Sequence, residues 1–128
     1  MKTRISVKNL EKRYGTLNVL KDISFDVKEK EFVSIVGQSG CGKTTLLYLI
    51  EGFLEKEKGK ISVKGKTGFV FQEHNLFPWK TVKENIMEGL LNQRLCKDEA
   101  GKIVGELLKD MSLSEFGDYY PYQISDGM

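Results

Sequence analysis

The sequence predicts an α/β fold on three observations. β-prone segments fill most of the first 71 residues, helical periodicity takes over after Pro78, and a strand, a glycine-rich loop and a helix follow one another over Phe32–Gly52. Composition agrees: 128 residues, 40% hydrophobic and 30% charged, make one globular domain able to bury a core. Abundant Leu, Ile, Val and Phe beside only two prolines exclude disordered and collagen-like chains. The longest apolar run, Leu46–Ile50, is far short of the roughly 20 residues of a membrane span. Met1–Arg4 is basic, but Ile5-Ser6-Val7-Lys8 follows without an apolar stretch, so no signal peptide is expected.

Ile5 and Val7 alternate with polar residues, as do Ile23, Phe25 and Val27, which predicts two half-buried strands. Phe32-Val33-Ser34-Ile35-Val36 is almost continuously β-prone, as a strand buried on both faces should be. A helix is expected from Lys43 to about Gly52, short strands around Ile61–Val63 and Phe69–Phe71, and a solvated turn at Glu55-Lys56-Glu57-Lys58. Thr81 with Glu84 three residues on spells a capping box, and Val82, Ile86 and Leu90, with Met87 and Leu91 beside them, give the helix behind it an apolar face. Ala100, Ile103, Val104, Leu107, Leu108 and Met111 predict a second helix, which Gly101 and Gly105 weaken by about 1 kcal/mol each. A boundary therefore falls near Gln72–Pro78, dividing residues 1–77 (β layer and phosphate-loop part) from residues 78–128 (helical subdomain).

A net charge of +2 is too small to argue for nucleic acid. Its distribution is uneven. Residues 1–66 carry 14 basic and 8 acidic side chains, residues 67–128 carry 6 and 10, so an anion is better sought in the first half. Two cysteines, Cys41 and Cys96, make neither a disulfide framework nor a metal spacing, and fit free thiols in a reducing cytosol.

In the first half, Gly37-Gln38-Ser39-Gly40-Cys41-Gly42-Lys43-Thr44 fits G-x-x-x-x-G-K-[ST], with Thr45 next in the helix. Glycines let successive backbone N–H groups turn inward as a concave anion nest, and the following helix adds its positive end. In such a loop the lysine reaches the β- and γ-phosphates and the hydroxyl after it ligates Mg²⁺, roles that fall to Lys43 and Thr44. Cys41 fills a position the pattern leaves free. A phosphate loop alone leaves kinases, GTPases, helicases and transport ATPases open.

Three further features narrow that choice: Tyr14-Gly15 upstream of the loop, Phe69-Val70-Phe71-Gln72-Glu73 after it, and the closing Tyr120-Pro121-Tyr122-Gln123-Ile124-Ser125-Asp126-Gly127-Met128. With them the sequence resembles the ATP-binding subunit of ABC transporters, from about residue 3 to residue 128 and in the family's motif order. Phe77-Pro78-Trp79 and the terminal Met128 resemble the nitrate/sulfonate/taurine importer branch.

The resemblance implies a P-loop NTPase of ABC type, with an antiparallel β layer and a helical subdomain, binding ATP and Mg²⁺. It implies adenine stacking by Tyr14, a water-positioning and Mg²⁺-binding role for Gln72, and contact of Ser125 and Gly127 with the γ-phosphate held by a second copy in a head-to-tail dimer. It also implies a transmembrane permease, with Phe77 and Trp79 in its groove or packed in the core. A periplasmic or extracellular solute-binding protein would act indirectly, and the subunit would sit in the cytoplasm against the inner face of the membrane. His74, the single histidine, lies too close to Gln72 to be the family's switch histidine and reads as a surface loop residue.

Two departures qualify the resemblance. Asp126 stands where the family usually has glycine, either facing the phosphate or capping a helix. The Walker B strand with its acidic pair, and the switch histidine, do not follow within the 128 residues. The expectation is a truncated domain, in which Phe32–Val36 and Phe69–Phe71 lack neighbouring strands. Three readings remain: an importer ATPase subunit unable to hydrolyse ATP by this chain alone, a non-hydrolysing nucleotide-binding remnant, or a soluble ABC-type ATPase of DNA repair or translation.

Overall fold

Alternating apolar residues build two long strands, β1 (Thr3–Tyr14) and β2 (Leu17–Lys28), joined at Gly15 with φ 59°. In the computed structural model, which describes residues 1–128, they form an antiparallel hairpin, and β3 (Lys58–Val63) pairs antiparallel with the other edge of β1. The order is β2-β1-β3. Register fixes the apolar face: Val7 lies opposite Phe25 on one side and Ile61 on the other. A bulge interrupts β1 at Asn9, where φ is 48°. There the Asn9 amide donates to Ser24 Oγ at 2.8 Å and Asn9 Nδ2 to Asp22 Oδ1 at 2.7 Å.

Helix α1 (Lys43–Glu51) lies on this sheet. Leu46 and Leu49 close a core with Val7, Leu10 and Leu20, and Ile5, Val19, Ile23, Phe25, Ile50, Leu54 and Ile61 pack around it. Each such aliphatic side chain contributes about 1.5–3 kcal/mol when fully buried. α1 ends at Gly52, left-handed at φ 81°, whose amide reaches back to Leu49.

The second group of elements is helical: α2 (Val82–Leu91), α3 (Lys97–Asp110), and two 3₁₀ turns at Ser114–Phe116 and Pro121–Gln123. Val82, Val104 and Leu108 are buried together, with Ile86, Met87, Leu90, Leu113 and Ile124 around them. Gly101 and Gly105 lie on the solvent side of α3, so tertiary packing overrides their poor propensity. The chain divides into two units, Met1–Phe69 and Val70–Met128.

Two expected strands do not form. Phe32–Val36 and Phe69–Phe71 belong to no sheet, and Phe32 is 93% exposed, Val36 90% and Val70 95%. The cause is pairing: the sheet consists of β2, β1 and β3, and neither run joins it as a strand. Phe69 instead turns its ring into an aromatic group with Tyr48 and Phe53, at centroid distances of 5.6 and 5.4 Å.

Candidate functional site

The glycine-rich loop is shaped by contacts that only glycine satisfies. Gly42 has φ 98°, and a Cβ there would stand 2.8 Å from Val19 Cγ1 and 3.0 Å from Leu20 Cδ2. The loop therefore rests directly on β2. Gly40 is also left-handed, at φ 79°, and a Cβ on Gly37 would stand 2.6 Å from Cys41 Sγ. The Cys41 amide donates to Gln38 O at 3.3 Å, closing the turn. Lys43 folds its ammonium back into it, with Nζ donating to Gly37 O at 2.8 Å and Gln38 O at 2.7 Å. Ser39 and Thr44 are exposed, while Thr45 is half-buried.

The start of α1 is bare. Gly42 offers no side-chain cap, and no acidic residue occupies the first turn. Its leading N–H groups and the positive end of its dipole are therefore left to an external acceptor. This donor set, with Lys43 beside it and no competing carboxylate in the turn, fits the phosphates of a nucleotide.

Tyr14 stands at the end of β1, 49% exposed, with the Lys12 ammonium 5.4 Å from its ring centroid. The run Glu55–Lys58 is solvent-exposed, as expected, and is also tied to this strand end. Lys12 Nζ donates to Glu55 O at 2.7 Å. The Arg13 amide and Nε reach the two carboxylate oxygens of Glu57, each at 3.1 Å, and Lys58 Nζ lies 2.9 Å from Glu11 Oε2. The hydrogen bond from Arg13 holds the Glu57 carboxyl below the ordinary carboxylate range. The i, i+2 spacing of Lys12 and Tyr14 along one strand face was a usable signal for their contact; the pairing with residues 55–58 had none.

In the second unit Gln72 lies in an exposed loop ahead of α2. The signature segment is also exposed at Ser125 and Gly127, and the Met128 amide donates to Ser125 O at 2.9 Å. The two segments meet through a pair that sequence reasoning missed: His74 Nε2 lies 3.5 Å from Asp126 Oδ1. The Asp126 carboxylate is thus directed at the loop that carries Gln72. Phe77 and Trp79 stack at 5.5 Å, and Trp79 is 69% exposed, which sets aside core packing for the tryptophan. Lys80 pairs with Glu88 and lies 5.0 Å from the Phe77 ring.

Residues 20–128 match the model of the ABC transporter family. The chain belongs to that family. An aliphatic sulfonates import ATP-binding protein of Bacillus cereus is 42% identical over 130 residues, covering 94% of this chain and 50% of that protein. An Fe(3+) ions import ATP-binding protein of Fusobacterium nucleatum is 37% identical, covering 99% of this chain and 37% of that protein. Among solved structures, a dimeric ATP-binding cassette in a post-hydrolysis state bound to ADP and Pi superposes with a TM-score of 0.84 at 31% identity. The match covers 96% of this chain and 64% of that one. The fold is that of an ABC ATPase domain, with its antiparallel sheet and helices, and the chain spans half or less of those two curated relatives. No helix is long and apolar enough to cross a membrane.

Proposed function

We propose that the whole protein is the ATP-binding subunit of an ABC importer, coupling ATP binding and hydrolysis to solute uptake. The observation that carries this reading is the uncapped start of α1 behind the Gly37–Thr44 loop, in a chain whose relatives are named as import ATP-binding proteins. The backbone amides of Gly37, Gln38, Ser39, Gly40, Cys41 and Gly42 line the phosphate cradle, Lys43 turns its ammonium from the loop carbonyls to the β- and γ-phosphates, and Tyr14 stacks on the adenine. Thr44 and Thr45 open the helix beneath.

No group of three or more His, Cys, Asp or Glu side chains converges in the chain. By the family resemblance, Thr44 and Gln72 would each contribute a ligand to a Mg²⁺ ion, whose other oxygens would come from phosphates and water. Bound there, it would neutralise charge on the transferring phosphate. Ser125 and Gly127 face the nucleotide of a second copy in a head-to-tail dimer, a reading supported by the dimeric state of the solved relative. Residues 78–128 act as the helical subdomain, with Phe77 and Trp79 toward a transmembrane permease at the inner face of the membrane and a solute-binding protein outside acting indirectly.

The Phe77-Pro78-Trp79 segment, Met128 and the sulfonate-import relative support the nitrate/sulfonate/taurine branch. Thr44 and Gln72 supply only part of what phosphoryl transfer needs, so the 128-residue chain binds MgATP without turning it over.

Calorimetric titration of MgATP into wild type and Lys43→Ala tests the core of the reading. Binding is expected in the first and none in the second; equal affinities would remove Lys43 from the phosphate site. Steady phosphate release by wild type, lost in Lys43→Ala, would overturn the expectation that this chain does not hydrolyse ATP.

A further inference from the structure

We propose that Lys12 and Glu57 form a clasp that fixes the attitude of the Tyr14 ring, making both of them positioning residues for recognition of a purine base. The inference rests on the reading of Tyr14 as the adenine platform, and goes beyond it by naming what holds the platform still.

Tyr14 sits where a hairpin ends, next to Gly15 with φ 59°, and strand ends at such turns fray readily. An exposed tyrosine there has free rotation about two side-chain bonds. A ring that must present one face to a base gains from losing that freedom before the ligand arrives. The Lys12 ammonium, 5.4 Å from the centroid, lies over one face of the ring, so a base would stack on the opposite face. Lys12 is itself held, because the same nitrogen donates to Glu55 O at 2.7 Å.

Glu57 completes the strap from the other side. Both its carboxylate oxygens accept from Arg13, the residue between Lys12 and Tyr14, one from the backbone and one from the side chain. The Glu57 amide in turn donates to Glu11 O at 3.3 Å. Residues 11, 12 and 13 are thus each tied to the segment 55–58, which runs from α1 into β3. An exposed ion pair alone is worth little. Several contacts converging on consecutive residues define a direction, and that direction is the base of the Tyr14 side chain.

The test separates base recognition from phosphate binding. The 128-residue chain is titrated calorimetrically with MgATP and with magnesium tripolyphosphate, which has no base, and the ratio of the two affinities is the readout. Tyr14→Ala is expected to lower the ratio most, by about five-fold or more, since stacking on an aromatic ring contributes at least that much. Lys12→Met is expected to lower it about two- to five-fold, with Lys12→Arg restoring it.

Glu57→Gln supplies the decisive arm. Loss of a negative charge alone would shift MgATP and magnesium tripolyphosphate affinities alike and leave the ratio unchanged, whereas the clasp requires the ratio to fall, by about two-fold. A ratio lowered by Tyr14→Ala but unchanged in Lys12→Met and Glu57→Gln overturns the clasp and leaves the platform standing. A ratio insensitive to Tyr14→Ala, with MgATP binding still dependent on Lys43, overturns the platform and the clasp with it.

Discussion

The chain begins its helices in opposite ways. Ahead of α1 stands Gly42, left-handed, with no capping side chain and no acid in the first turn. Ahead of α2 stands Thr81, whose hydroxyl accepts from the Glu84 amide at 3.3 Å while the Glu84 carboxylate accepts from the Thr81 amide at 2.7 Å. α3 lies between the two, without a cap bond from Cys96 but with Asp98 and Glu99 in its first turn. The same backbone end can therefore be closed on itself for stability or left open. In this chain the open end is the one behind the glycine loop.

The largest effect expected from this contrast is at Gly42. Gly42→Ala forces a Cβ against Val19 and Leu20 at a left-handed φ, so about 2–4 kcal/mol of unfolding free energy should be lost in denaturant titration, with MgATP binding lost as well. A loss under about 1 kcal/mol would show that β2 yields to the loop. Thr81→Ala should come next, at about 1 kcal/mol and with unchanged MgATP affinity. Weakened nucleotide binding in that variant would erase the distinction between the two helix starts.

Acid should act on the closed start. The hydrogen bonds from Thr81 hold the Glu84 carboxyl below its ordinary value. Its contribution is thus present above the unfolded carboxyl's pKa and fades as pH falls through the lowered folded value. Unfolding curves across that acidic range should lose less stability in Glu84→Gln than in wild type; parallel losses would show that the capping box does not titrate. The smallest effects belong to the signature turn. A Cβ added at Gly127 would meet nothing within 4 Å, and the residue has no left-handed φ, so Gly127→Ala should change stability by less than about 0.5 kcal/mol. Asp126→Gly should do the same, because its contact with His74 is exposed. A loss above about 1 kcal/mol in either would show a turn held as firmly as the glycine loop.

What was legible in the sequence was what neighbours along the chain decide. The glycine loop, the Thr81–Glu84 box and the helices α2 and α3 depend on spacings of three to eight residues, and each stands in the structure where the pattern put it, although Leu107 and Met111 of the α3 pattern are exposed. The extent of β1 and β2 was less legible, because a bulge at Asn9 shifts the alternation of β1 midway. Phe32–Val36 is β-prone yet unpaired, as the expected lack of neighbouring strands implied: β propensity describes a surface suited to pairing, and pairing needs a partner. The charged run 55–58 is solvent-facing as read, but its ties to Glu11, Lys12 and Arg13 were not legible, because those partners lie more than forty residues away.

The unpaired Phe32–Val36 run carries a practical consequence for anyone handling the polypeptide. Its backbone groups and two nearly bare apolar side chains offer a template on which a like segment can add as a strand. Lys30 and Glu31 flank it on one side only; on the other it runs straight into the uncharged stretch Gly37–Gly42. Colloidal behaviour of the 128-residue chain should therefore be governed by this short stretch, and a lysine at Ile35 should do more to keep concentrated samples clear than any change of net charge elsewhere.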